Sequence, residues 1–184
     1  MLEPLVFDAS AAARDRILLS AQQLFYQQGI RATGIDKIIA AAGVTKVTFY
    51  RHFPAKNALI LAFLQTRHQR WMTAFRSALA QHEDLVDALP AALLSWFNND
   101  DYRGCAFINT AAELGNTLPE ASLLISQHKQ DMAQAIADKL PTEIQDKTAP
   151  IVLLVDGAIV QVQIGEEAEE IVQVLRSALT SLLQ

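Results

Sequence analysis

Residues 31–56 read RATGIDKIIAAAGVTKVTFYRHFPAK. Within this stretch Thr33 can open a short helix, with Asp36 three residues on as a capping acid. Ile35, Ile38, Ile39 and Ala42 then share one side, and Gly43 ends the helix after two turns. Thr45 can cap the next helix, which runs from Lys46 to about His52 before Pro54. Two short helices joined at Ala42-Gly43-Val44 form the pattern of a helix-turn-helix. The glycine permits the tight turn, and Val44 is placed to plug a small core. Helices this short are unstable alone, because nucleation is costly below about 12 to 15 residues. They require partners.

The partners lie on either side. Residues 10–28 predict an amphipathic helix capped by Ser10, with Ile17, Ala21, Leu24, Phe25 and Gln28 on one face and Gly29 as its left-handed stop. Downstream, Lys56 to about Gln81 predicts one long helix. Its stripe is Ile60, Leu64, His68, Trp71, Phe75 and Leu79, near a 3.6-residue period. Helical patterns continue through 84–98, 105–115 and 119–140, divided by Asn98-Asn99-Asp100, Gly115 and Pro141. A last helix over 166–184 begins with Glu166, Glu167, Glu169 and Glu170, acids that favour a helix N-terminus.

Residues 151–164, IVLLVDGAIVQVQI, divide two ways. β-Branched runs around Asp156-Gly157 are a hairpin signal. No other strand offers itself for pairing, and a helix apolar nearly all round, buried or at a dimer contact, fits an otherwise helical chain better. The expected class is all-α, with about nine helices. Residues 1–55 are expected to form the helix-turn-helix domain and residues 56–184 a larger helical body.

Charge follows the same division. The 184 residues are 51% apolar and 19% charged, with a formal net charge of −5. That apolar content argues against disorder, and it exceeds what one small core needs. A cavity or a subunit interface would absorb the rest. Residues 1–60 hold seven Lys/Arg (Arg14, Arg16, Arg31, Lys37, Lys46, Arg51, Lys56) against four acids, a net +3. The remaining residues hold eight bases against sixteen acids, a net −8. A basic head on an acidic body is thus expected, and it reopens nucleic-acid binding that the total charge would argue against. The first residues, MLEPLVFDAS, lack the pattern of a secretory signal, and no apolar run reaches the length of a membrane span. With Cys105 the only cysteine, a cytoplasmic location is the expectation.

The stretch from Arg31 to Lys56 resembles the DNA-binding region of TetR-family transcriptional regulators. The matching core is Ala41, Gly43, Val44, Thr45, Lys46, Thr48, Tyr50, Phe53, Lys56 and Leu59. About a third of the chain is covered. The segment RGCAFINTAAE, Arg103 to Glu113, is similar to the sixth helix of some members. The resemblance implies a two-fold homodimer through residues of about 150–184 and a near-palindromic double-stranded DNA operator. It also implies a small-molecule effector, expected to be largely apolar, that releases a repressor from its site. Two positions depart from the pattern: Val47 stands where many members have a small residue, and Ala55 where a capping Ser or Asn is common.

Carried onto this sequence, the DNA contacts fall on Thr33, Thr45, Lys46, Thr48, Tyr50, His52 and Lys56. The chemistry suits them. Hydroxyls and an ammonium on the first turn of a recognition helix reach base edges and phosphates. Free backbone N–H groups at the start of the next helix attract anions beside Lys56. Phe49 and Phe53 are expected in the core of the head.

In the body, an effector pocket is expected from His68, Trp71, Phe75, Trp96, Phe107, Leu124, His128 and Met132. His68 and His128 sit within apolar stripes, which fits either a ligand role or core histidines bonded to backbone. Cys105 beside Arg103 reads as a small buried hydrophobe, with redox sensing as a second possibility. No nucleophile motif, Walker loop or dinucleotide fingerprint occurs, so no enzyme activity and no cofactor are expected. No metal site is expected either, since Cys105, His68 and His128 lack ligand spacing. The rival reading is a DNA-inactive helical interaction module.

Overall fold

The structure, a computed structural model, describes residues 8–115 and 117–184; the signal reading of the first seven residues lies outside them. Among the described residues there are nine α-helices and no strand. They are α1 (Ala13–Gln28), α2 (Ile35–Ala42), α3 (Lys46–His52), α4 (Lys56–Leu79), α5 (Leu85–Phe97), α6 (Ala106–Leu114), α7 (Pro119–Ala137), α8 (Thr148–Gln163) and α9 (Ala168–Leu183). A 3₁₀ segment over Thr142–Lys147 leads into α8. The all-α class is as expected. No described helix is long and apolar enough to cross a membrane.

The chain divides into two compact units. One comprises the described residues of Glu3–Gln69 together with Ala106–Ser126; the other comprises Arg70–Cys105 with Gln127–Gln184. In the first, α2 and α3 pack on α1 and on each other. Ile17, Ala21 and Phe25 of α1 are buried with Ile38, Ala42, Phe49 and Phe53. Phe63 from α4 meets Phe25 edge-on, ring centroids 5.5 Å apart. This is how three helices of 16, 8 and 7 residues gain the stability they lack singly.

In the second unit α9 packs against α5 and α8. Leu89 and Leu93, Ile151 and Val155, and Leu175 and Leu179 are among its buried aliphatics. The Tyr102 hydroxyl donates to the Ile159 carbonyl at 2.8 Å. Lys129 on α7 pairs with Asp156 on α8 at 2.5 Å.

Residues 151–163 are helical throughout, the reading preferred from the sequence, and the hairpin signal at Asp156-Gly157 is overruled. Ile151, Val155, Ala158 and Ile159 fall at helical spacing on one buried face, and Asp156 reaches Lys129 rather than turning the chain. Ser10 does not cap α1. Its amide and hydroxyl both donate to Asp8 Oδ1, at 2.8 and 2.6 Å, and the helix starts at Ala13 without a side-chain cap. Gln28 is exposed, its amide oxygen accepting from Lys37. Gly29 stops α1 with a φ of +88°, as its type allows.

Candidate nucleic-acid interface

The turn between α2 and α3 is built from backbone geometry. Gly43 takes the left-handed conformation (φ 61°, ψ 41°). Its N–H donates to Ala40 O and that of Val44 to Ile39 O, which is a Schellman cap. Arg16, reaching across from α1, donates through Nε to the Ala42 carbonyl at 3.0 Å and lies 3.5 Å from that of Gly43. A guanidinium there also complements the negative end of α2.

Thr45 begins α3 as the sequence requires, its hydroxyl accepting from the Thr48 N–H at 3.1 Å. The two threonine hydroxyls lie 2.9 Å apart. Phe49 is fully buried and Phe53 nearly so, and they pin the inner side of the helix. Lys46, Val47, Tyr50, Arg51 and His52 are exposed around the remainder, with Thr48 half-buried among them. Tyr50 sets its ring edge-on to Phe49 at 5.3 Å, which orients the phenol without hiding it. Lys46 approaches Asp36 at 3.9 Å between two well-exposed side chains, a pair too solvated to hold the ammonium. Arg51 and Val47, outside the contacts expected from the sequence, share this exposed surface. Helical period is the signal that could have grouped them, since positions 47, 50 and 51 fall on one side of α3.

Two of the expected contacts are placed elsewhere. Thr33 is fully buried: its hydroxyl donates to the carbonyls of Gly29 at 2.7 Å and Leu24 at 3.3 Å. It does not cap α2, whose first turn follows Gly34 with no side-chain cap. Lys56 is half-buried, and its ammonium donates to the Ile30 carbonyl at 2.5 Å while lying 5.9 Å from the centre of the Phe25 ring. Burial pushes its pKa below the ordinary lysine value, and the Glu113 carboxylate partly restores it. Both side chains close the α1–α2 loop. Glu113 on α6 completes that closure by accepting from the Arg31 amide at 2.8 Å.

The residues expected to line an effector pocket separate by unit. In the first, the His68 ring stands edge-on to Phe107 at 6.4 Å, and Leu124 is half-buried. In the second, Trp71, Phe75, Trp96, His128 and Met132 are all buried. Trp71 stacks on Phe75 at 4.5 Å and meets Trp96 and His128 edge-on at 5.5 and 5.1 Å. The Trp71 indole N–H is buried with no hydrogen-bond acceptor among the described residues. Cys105 is buried, and among the described residues no cluster of three or more metal-ligating side chains occurs.

Three interlocked helices presenting α3 from a capped glycine turn are the anatomy of a helix-turn-helix protein. Residues 17–63 match the family of bacterial regulatory proteins of the tetR type. The HTH-type transcriptional activator FasR of Mycolicibacterium smegmatis is 35% identical over 85 residues, 46% of this chain and 39% of FasR. The HTH-type transcriptional repressor NemR of Escherichia coli is 27% identical over 106 residues, 55% of this chain and 53% of NemR. The matches thus span about half the length of these relatives or less. Across the whole fold, SCO4454, a TetR-family transcriptional regulator from Streptomyces coelicolor, superposes with a TM-score of 0.84 at 27% identity, covering 93% of this chain and 88% of that one. In the sequence of residues 17–63 and in its whole fold the chain is similar to TetR-family transcriptional regulators.

Proposed function

We propose that the protein is a DNA-binding transcriptional regulator, acting as a homodimer on a near-palindromic operator. The observation that carries this reading is the outer side of α3. Lys46, Tyr50, Arg51 and His52 stand exposed on a helix fixed behind by Phe49 and Phe53. Thr45, Lys46, Thr48, Tyr50, Arg51 and His52 make the contacts, with Thr33 and Lys56 shaping the loop behind them. Residues 1–55 serve as the DNA-contacting part and residues 56–184 as the part that pairs and senses.

Pairing through residues 150–184 is supported by apolar surface the chain leaves open. Leu153 and Ile164 are 74% and 70% exposed, with Val160 between them on the same side of α8. Pro150, Leu153 and Leu154 line an open groove of about 580 Å³ with Ala178, Ser181 and Leu182 of α9. Two-fold pairing there gives two recognition helices, each reading one half-site, with half-sites about one helical turn or a multiple apart.

Release by a small, largely apolar effector is the regulatory half of the proposal. Its support is the aromatic group of Trp71, Phe75, Trp96 and His128, with a buried indole N–H that an acceptor atom on a ligand would satisfy. Repression is the reading adopted, with a cytoplasmic site of action.

The test is to incubate the protein with fragmented DNA of its source genome and sequence what is retained. A recurrent palindrome, bound with affinity that falls steeply as salt rises, is expected. Retention of no common sequence would refute the proposal and leave the interaction-module reading.

A further inference from the structure

We propose that Val47 reads thymine: its side chain packs on a thymine C5-methyl in each half-site and selects that base. The inference rests on the regulator reading above and adds a specificity determinant to it. Val47 is 70% exposed on α3, with an isopropyl group turned to solvent between Lys46 and Thr48. Folding does not account for it. The side chain buries little, and a β-branched residue is a poor choice at an unpacked position of a seven-residue helix. A partner that brings an apolar group to this surface would give the side chain a use.

The neighbours narrow the partner. Lys46 and Arg51 flank the valine and Tyr50 lies one turn on, so the surface around the apolar spot is cationic and hydrogen-bonding. That mixture complements DNA, whose phosphates meet the cations and whose major-groove floor carries one apolar feature, the methyl group of thymine. The hydroxyls of Thr45 and Thr48 add donors and acceptors for adjacent base edges. Cytosine in place of thymine would remove the methyl and set an amino group against the isopropyl side chain.

The experiment uses the full chain and the duplex recovered by genomic selection, with each symmetry-related pair of thymines replaced in turn by deoxyuridine, which deletes only the methyl. Loss of one buried methyl corresponds to about fourfold in affinity, hence about fifteenfold for both half-sites together. One symmetry-related pair of thymines is expected to show this loss with the wild-type protein. Val47→Ala should bind the thymine duplex about as weakly and be indifferent to deoxyuridine at that pair, the coupling a double-mutant cycle isolates. The alanine variant keeps its helix, so circular dichroism should match wild type and exclude unfolding as the cause. Insensitivity of the wild type to deoxyuridine at every position overturns the inference and leaves the regulator reading standing. So does a Val47→Ala protein that retains the wild-type deoxyuridine pattern. Failure of the wild type to retain any specific duplex overturns both.

Discussion

Replacing Thr33 by valine removes a hydroxyl and almost no volume. The residue is fully buried, and the hydroxyl donates to the Gly29 carbonyl at 2.7 Å, with a longer contact to Leu24. Valine leaves the Gly29 carbonyl without that donor and places a methyl against it. A lost neutral hydrogen bond plus a partly stranded acceptor amounts to about 1–2 kcal/mol of stability. For a chain of this size the midpoint of thermal unfolding should fall by about 2–8 °C. The measurement is thermal and urea unfolding by circular dichroism at one fixed protein concentration, since pairing would otherwise shift the midpoint. Below the transition, DNA affinity and its salt dependence should match wild type. The reasoning is refuted if stability is unchanged while affinity falls tenfold and the salt slope drops by about one, the pattern of a lost phosphate contact.

Three further expectations follow from the same geometry. Thr45→Ala deletes the acceptor for the Thr48 N–H and should cost α3 about 1 kcal/mol, raising amide hydrogen exchange across residues 46–52 about fivefold; unchanged protection would count against the cap. Lys56, depressed below 10.5 in the folded chain, binds fewer protons there than in the unfolded one, so it makes stability rise with pH through the window just below 10.5. That gain, read as the difference between wild type and Lys56→Met in denaturant titrations, should vanish in the variant, and Glu113→Gln should lower the Lys56 midpoint further in an NMR titration. Leu153→Asp should leave the single chain folded and weaken pairing by at least about 100-fold, because a dimer would lose two buried leucines at about 1.5–3 kcal/mol each; light scattering across a dilution series decides it.

What the sequence conveyed and what it withheld differ in physical kind. The Gly43 turn, the Thr45 cap and the buried Phe49 and Phe53 were legible because each depends on neighbours within a few residues or on helical period. Thr33 and Lys56 were placed on the outer surface because each stands beside a helix start, where a hydroxyl or ammonium is ordinarily free. Their true partners are carbonyls of the α1–α2 region, and for Lys56 a phenyl ring and Glu113 as well. No local pattern encodes such a direction. Asp156-Gly157 is the converse case: a strong local turn signal, already set against the absence of a partner strand, is outweighed by Ile151, Val155 and Ile159 packing as one helical face. Trp71, Phe75, Trp96 and His128 were expected together only within a larger set that included His68, Phe107 and Leu124 of the other unit, and the orphan indole N–H of Trp71 depends on a side-chain direction that no sequence pattern gives.

The carboxylate of Glu113 has a consequence for anyone transplanting this head onto another regulator. It accepts from the Arg31 amide across 82 positions of sequence, and its oxygens lie about 3.0 Å from where a Cβ on Gly29 would stand. A graft cut at residue 55 would carry the loop and leave its carboxylate behind. The transplanted Arg31 amide would then rely on solvent, and any bulkier residue brought in from a foreign α6 could press on Gly29. A portable reading head therefore has a discontinuous boundary, with Ala106–Ser126 travelling alongside the N-terminal helices.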